Sequence, residues 1–459
     1  MGGIFGLALK KNCSEKLFYG TDYHSHLATE FGGLAVSNER IQDPRIHNIR
    51  NSQFKSRFFD EHIKMVGNRG IGVISHERQP LKIISHLGEF AICTNGLINN
   101  SDELVNYFLQ KKISFSENDK INQTELVGKL ICEETTYVKG LENMFDKING
   151  SISVLLLTNE GLYAASDRFP LVIGKGENGL AVTSETAAFP NLDFKILKYL
   201  QPKEIVFFDE NEIKSRANVD SNLKKICAFL WIYTGFPTSN FENINVEIAR
   251  EMCGKCLAKN DNVNADFVTG VPDSGIAHAI GYAAATNIPF RRPLQKYTPG
   301  WGRSYIPPNQ NERDLIAHYK IIPIPEMFNN MEIVIVEDSI VRGTQLKKLL
   351  KEKVRPYGPK SIHIRSACPP LIFPCKFNVS TRTKSELAAR EAIKRIEGKD
   401  IKCMSKYLNE NSGKYKKMVD LIRQKIGATS LQYQKLEDMI SAIGLPKEDL
   451  CLHCWTGKD

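Results

Sequence analysis

At 459 residues, with 42% hydrophobic and 25% charged side chains, the chain has the make-up of a globular protein and exceeds what one hydrophobic core organises, so two domains are expected. No apolar run approaches the roughly 20 residues of a membrane helix, and the start lacks the basic, apolar and small-residue regions of a secretory signal, so a cytoplasmic location and no membrane partner are expected. The net charge of +9 is dispersed, its densest stretch (Lys376 to Lys425) carries no interleaved aromatics and so speaks against nucleic acid, and an odd count of eleven cysteines argues against a disulfide framework.

The chain opens on MGGIFG, which reads as the start of a buried strand. Glycine-punctuated apolar runs follow (FGGLAVS, KIISHLGEFAICTNGLI, SISVLLLTNEGLYAAS, GLAVTSE, EIVFFDENEI) and are expected as strands of stacked sheets, with helices near Asp102 to Gln110 and Asn122 to Glu134. Asn95-Gly96 is a dipeptide favoured in a turn between strands. From about Val219, longer helical patterns alternate with the buried strands DFVTGV, EIVIVEDS and SIHIRSAC, the signature of βαβ units around a parallel sheet. The division is expected between Arg216 and Ser221, giving domains over 1–218 and 219–459. CGKC, Cys253 to Cys256, has metal-ligand spacing but lies inside the helical pattern EIAREMCGKCLAKN, where buried small hydrophobes are expected.

The most informative stretch is MEIVIVEDSIVRGTQLKKLLKE, Met331 to Glu352. An apolar strand ends in the carboxylates Glu337 and Asp338, enters a turn bearing Ser339, Val341, Arg342 and Gly343, and opens an amphipathic helix at Thr344. Backbone N–H groups at such a turn bind anions, and paired acids beside them suit ribose hydroxyls or Mg²⁺, so the ligand expected is a sugar phosphate. At the chain's end LCLHCWTGKD places Cys451 and Cys454 three apart, a spacing that serves a buried pair, a zinc half-site or a redox pair alike.

The string EDSIVRGT closely resembles the phosphoribosyl pyrophosphate (PRPP) loop of type I phosphoribosyltransferases, in the version found in the glutamine phosphoribosylpyrophosphate amidotransferase family. DFVTGVPDSGIAHAIGYAAATNIPF resembles that family's pyrophosphate-binding segment, with Pro272, Asp273, Ser274 and Gly275 in the loop. GRSYIPPNQNER resembles its closing loop, with Arg303 and Arg313. Lys320 matches a basic position, whereas His318 stands in place of an Arg. The resemblance implies that Glu337, Asp338, Ser339, Val341, Arg342, Gly343, Thr344, Pro272, Asp273, Gly275, Arg303 and Arg313 bind PRPP, and that Ser274, Glu337 and Asp338 surround Mg²⁺. It also implies a 4Fe-4S cluster of the Gram-positive branch on Cys227, Cys375, Cys451 and Cys454, four thiolates being the count such a cluster takes; a four-thiolate zinc site is the competing assignment.

The family's first domain is an N-terminal nucleophile (Ntn) glutaminase whose cysteine, exposed after removal of Met, attacks glutamine. Gly2 stands at that position here. Ser75 stands where the family has its glutamine-binding Arg, Gln123 where an Asp binds the substrate's α-amine, and HLATE (26–30) replaces an HRGQE-like string. Asn95 and Gly96 retain the oxyanion-hole pair. The resemblance thus implies an α/β plus α+β two-domain protein, an inactive Ntn αββα sandwich followed by a type I phosphoribosyltransferase parallel sheet with flanking helices, and an apparent insertion between about Arg390 and Lys417.

The expected reaction is formation of 5-phosphoribosylamine from PRPP and ammonia, in purine biosynthesis, without self-generated ammonia. The alternatives are a catalytically silent PRPP or nucleotide-binding regulator of an active paralogue, and transfer to another amine. In AFLWIYTGFPTSN, Leu230, Phe236 and Thr238 break the family's E-x-x-Y-F-A-R-P-D-S pattern, and KYTPGWGR departs from its KNRYVGR. Purine nucleotide effectors, a separate glutaminase partner and homo-oligomer formation are further expectations from the family.

Overall fold

The computed structural model describes all residues except 1, 29, 117–120, 219–223, 260, 298–318, 378–380, 382 and 459. The chain forms two compact units. One takes in Met1–Ile226 with Ser239–Glu242 and Lys376–Val379; the other takes in Cys227–Thr238, Asn243–Cys375 and Ser380–Asp459.

In the first unit the strand Gly3–Leu9 is buried along its whole length. It lies antiparallel between Gly179–Thr183 and Arg69–Ser75 at the centre of a seven-stranded sheet. Alternation then sends its side chains to two different cores. Ile4 and Ala8 meet Val154, Ala164 and Val206 of a six-stranded antiparallel sheet. Phe5, Leu7 and Leu9 meet Leu17, Phe18, Phe54 and Phe58 of the helices Ser14–Asp22 and Phe54–His62. The helices Ser101–Gln110, Gln123–Ile131 and Tyr137–Lys147 bury Leu104, Phe108, Leu126, Leu130, Leu141 and Met144 in the core that the six-stranded sheet shares. The result is the expected αββα sandwich. Both sheets are covered on both faces, which is why their strands read as unbroken apolar runs.

In the second unit, four parallel strands stand in the order Phe267–Gly270, Glu332–Glu337, Ser361–Ser366 and Ser430–Tyr433. Along Glu332–Glu337 the period is again two. Val334 and Val336 pack with Leu257, Ala279 and Tyr282 from the helices Val246–Ala258 and Ile276–Thr286. Ile333 and Ile335 pack with Leu346, Leu349, Ile393, Ile422 and Ile426 on the opposite face. Helices on both faces leave the carboxyl ends of the strands as the open edge, where ligands of parallel sheets bind. Cys253 and Cys256 are buried in the helix Val246–Ala258, as the pattern predicts. Among the described residues no helix is long and apolar enough to cross a membrane.

Candidate functional site

The strands Phe267–Gly270 and Glu332–Glu337 are neighbours, and the loops that follow them meet. A Cβ on Gly275 would strike the backbone of Val336 and Val271, so only glycine lets the 271–275 loop lie this close to the acidic strand. The contact brings the Ser274 hydroxyl to the carboxylate of Asp338, which also accepts from Ser339 Oγ at 2.7 Å. Asp338 is 3% exposed. Burial around both carboxyl groups raises Glu337 well above the usual carboxylate range and raises Asp338 as well, and the charge of Asp338 pushes Glu337 further. Two acids so placed favour a cation or a set of hydroxyl donors.

The turn then passes Gly343, whose φ of +73° suits glycine, and enters the helix Thr344–Leu349. Thr344 is half-buried at the turn, and the guanidinium of Arg342 is held by Glu386, with Nε to Oε2 at 2.7 Å. In the facing loop the Pro272–Asp273 peptide is cis, and Asp273 is exposed and ion-paired with Lys296. Arg303, Arg313 and His318 lie outside the described residues; Lys320 is buried.

Two basic residues at this edge escape sequence reading. Lys296 sits on the short strand Leu294–Lys296 and finds Asp273 through tertiary structure alone. Arg250 is 3% exposed, donates to Trp231 O and Gly235 O (2.9 Å each), and places its charge near Asp338. Its position inside a helical pattern carries no signal beyond that of a surface arginine. Leu230 is buried, whereas Phe236 and Thr238 are exposed.

The four distant cysteines come together in the second unit. Ala228 N donates to Cys451 O, and Ile372 N and Phe373 N both donate to Cys454 O, so the backbone joins the segments that carry Cys227, Cys375 and the terminal pair. Cys454 hydrogen-bonds Cys375 and lies in the field of Cys227 and Cys451; with burial, these contacts raise its thiol well above normal. Burial, then Cys451 and Cys375, raise Cys227 likewise. Thiols gathered in this way are a natural donor set for a metal centre that takes thiolates. Among the described residues no three His, Cys, Asp or Glu side chains are gathered as tightly as one ion requires. Trp455 closes one side, stacked on Phe229 at 4.8 Å and donating to Pro369 O.

In the first unit, Gly2 N donates to Asn95 Oδ1 at 2.9 Å. A Cβ on Gly2 would collide with the carbonyl oxygen of Ile74. The neighbouring Ser75 is buried, and its Oγ accepts from Glu77 N (3.0 Å) and Gln79 Nε2 (2.6 Å). Gln79 also donates to Thr94 O and accepts from Thr94 N and Thr124 Oγ1, closing a neutral buried network. Gln123 begins a helix; its N–H meets Glu77 and its side chain accepts from Ile98 N at 3.4 Å. His26 pairs with Glu185 (3.2 Å), and Glu30 with His76 and Arg50. Burial pushes the other cysteines of the sandwich upward, Cys13 to about 12, Cys93 further, and Cys132 as well.

One expectation is corrected here. Asn95-Gly96 is not a turn but the middle of the strand Gly88–Ile98, paired with Ser153 and Ile152. The glycine is needed because a Cβ there would run into Ser151 O, not because a hairpin reverses.

A family described as a glutamine amidotransferase domain matches residues 68–191, a stretch that begins beyond Gly2. An amidophosphoribosyltransferase of Methanocaldococcus jannaschii is 31% identical over 495 aligned positions, covering 100% of this chain and 97% of the relative. One from Bacillus subtilis is 29% identical, with coverages of 99% and 93%. A solved glutamine PRPP amidotransferase from B. subtilis, complexed with ADP and GMP, superposes with a TM-score of 0.83 at 28% identity, over 99% of this chain and 96% of that one.

Proposed function

The chain belongs to the amidophosphoribosyltransferase family of purine biosynthesis, and from that premise we propose that it forms 5-phosphoribosylamine and pyrophosphate from PRPP with ammonia that it does not make from glutamine. The observation that carries the ammonia reading is the closed space at Gly2: no nucleophile is present, no room for one is left against Ile74, and the charged groups that would hold glutamine are replaced by the neutral Ser75 and Gln123. The amidotransferase-domain match over residues 68–191 supports an inherited sandwich.

On the transferase side, the amides of Ser339, Val341, Arg342, Gly343 and Thr344 cradle the 5-phosphate, and Glu337 and Asp338 accept from the ribose hydroxyls. The loop Pro272, Asp273, Ser274 and Gly275 is assigned to the pyrophosphate, and Arg303 and Arg313, outside the described residues, are assigned to it by family resemblance alone. Ser274, Glu337 and Asp338 suit Mg²⁺, being hard oxygen donors gathered at the end of the acidic strand. When bound, Mg²⁺ spreads the negative charge of the departing pyrophosphate. The protein supplies orientation and charge; no covalent intermediate is called for.

Cys227, Cys375, Cys451 and Cys454 would hold a 4Fe-4S cluster in a structural role, tying the chain's end to two remote segments. The four thiols, with Cys454 hydrogen-bonded to Cys375, give the ligand count that a 4Fe-4S cluster takes, and a four-thiolate zinc site is the competing assignment.

The loss of charged groups at Leu230, Phe236 and Thr238 supports a second reading, a PRPP- or nucleotide-binding regulator without turnover. A B. subtilis relative was solved with ADP and GMP, which makes purine nucleotides the effectors to test. Anaerobically prepared protein is assayed for pyrophosphate release from PRPP and Mg²⁺, with ammonium or with glutamine. Release with ammonium alone is expected; release with glutamine as sole donor sinks the ammonia reading, and none with any amine favours the regulator.

A further inference from the structure

The segment after the parallel sheet's third strand is helical: Ala388–Glu397, then Gly413–Ile426. The stretch from about Arg390 to Lys417 is the apparent insertion relative to the family. Both helices pack on the PRPP loop, with Ile340, Ala388, Ala389, Ala392, Ile422 and Ile426 in one core. Three polar contacts join this segment to that loop. Ala388 N donates to Val341 O at 2.8 Å. Lys425 Nζ donates to Arg342 O at 3.0 Å while pairing with Glu391 at 2.5 Å. Glu386 holds the Arg342 guanidinium.

The first two contacts fall on consecutive peptide groups. In a trans peptide the C=O and the following N–H point in opposite directions. Drawing Val341 O toward Ala388 therefore turns the N–H of Arg342 away from the helices, and drawing Arg342 O toward Lys425 turns the N–H of Gly343 away as well. Those two N–H groups are the ones that an anion in the turn would meet. Left alone, the Arg342–Gly343 peptide could swing, because Gly343 tolerates both signs of φ.

Resting on the reading of this turn as the 5-phosphate cradle, we infer that Lys425, anchored by Glu391, is a positioning residue that fixes the Gly343 amide toward the phosphate, and that the helix Gly413–Ile426 is the backing wall of the cradle. Lys425 is partly buried, with 21% of its side chain exposed, so its hydrogen bond is protected from water.

The test is direct binding to the full-length protein, prepared anaerobically with Mg²⁺, of PRPP, ribose 5-phosphate and inorganic pyrophosphate. Lys425→Met is expected to weaken PRPP and ribose 5-phosphate about tenfold, the loss of one charge-assisted hydrogen bond, with pyrophosphate unchanged. Lys425→Arg restores binding to within about twofold, and Glu391→Gln, which keeps the lysine but releases its anchor, weakens ribose 5-phosphate by about threefold. If Lys425→Met does not fold, the Glu391→Gln ratio of ribose 5-phosphate to pyrophosphate affinity decides. Unchanged sugar-phosphate binding, or equal weakening of all three ligands, overturns the inference. Wild-type protein that binds none of the three overturns the reading of the site itself.

Discussion

The carbonyl oxygen of Ile74 lies 2.2 Å from the point where a side chain on Gly2 would begin, well inside contact distance. Restoring the family's cysteine therefore requires the strand Arg69–Ser75 to move, and Ser75 on that strand is already committed to Glu77 and Gln79. Gly2→Cys is expected to yield no glutamate from glutamine and to cost about 1–3 kcal/mol by overpacking. Glutamate assay and denaturant unfolding check both; glutaminase turnover in the single variant refutes the account.

Glu337 has the opposite problem, a carboxylate with too little water around it. Its folded pKa is raised, so its stabilising contribution is complete below the ordinary carboxylate range and is lost as pH rises through the folded value. Glu337→Gln is expected to stabilise the ligand-free protein at about pH 8 and to do nothing at about pH 4, below the ordinary carboxylate pKa. The same change should lower PRPP turnover by about 10² or more. Melting curves at the two pH values beside an ammonium-dependent assay test the trade; equal stability at both sinks it.

His24 titrates with the reverse sign. It is fully buried between Gly20 O and Thr183 Oγ1, and burial lowers it to about 4. A depressed histidine favours the fold above its unfolded pKa and loses that contribution as pH falls toward the folded value. Unfolding free energy should drop by about 2 kcal/mol from this group between pH 7 and pH 5. His24→Gln flattens that slope, as urea titrations at both values would show; an unaltered slope removes His24 as the cause.

Cys375 joins the terminal pair through Cys454. Cys375→Ser is expected to lose iron and acid-labile sulfide and to melt at lower temperature, since the tie between the chain's end and the middle of the unit goes with them. Metal and sulfide analysis of the wild-type chain tests the assignment: zinc without sulfide replaces the cluster by a four-thiolate zinc site.

Much of this was legible without coordinates, because local patterns carry it. Ile333 to Val336 read as a buried strand, acids closed it, and a glycine-bearing turn followed, each being a short-range property of the chain. Cys227, Cys375, Cys451 and Cys454 were legible only through family resemblance, since no spacing rule links positions so far apart.

What the chain alone determined is local chemistry: paired acids before a glycine-bearing turn, the terminal pair Cys451 and Cys454, and glycine at position 2. Tertiary structure decided the rest, because each remaining feature depends on which backbones approach each other. It set Ile74 against Gly2, put Asn95-Gly96 in mid-strand beside Ser151, buried Arg250 near Asp338, and brought Lys425 to the carbonyl of Arg342. Those contacts join residues 55 to 88 positions apart in the chain, and only packing of the sheets and helices fixes such distances.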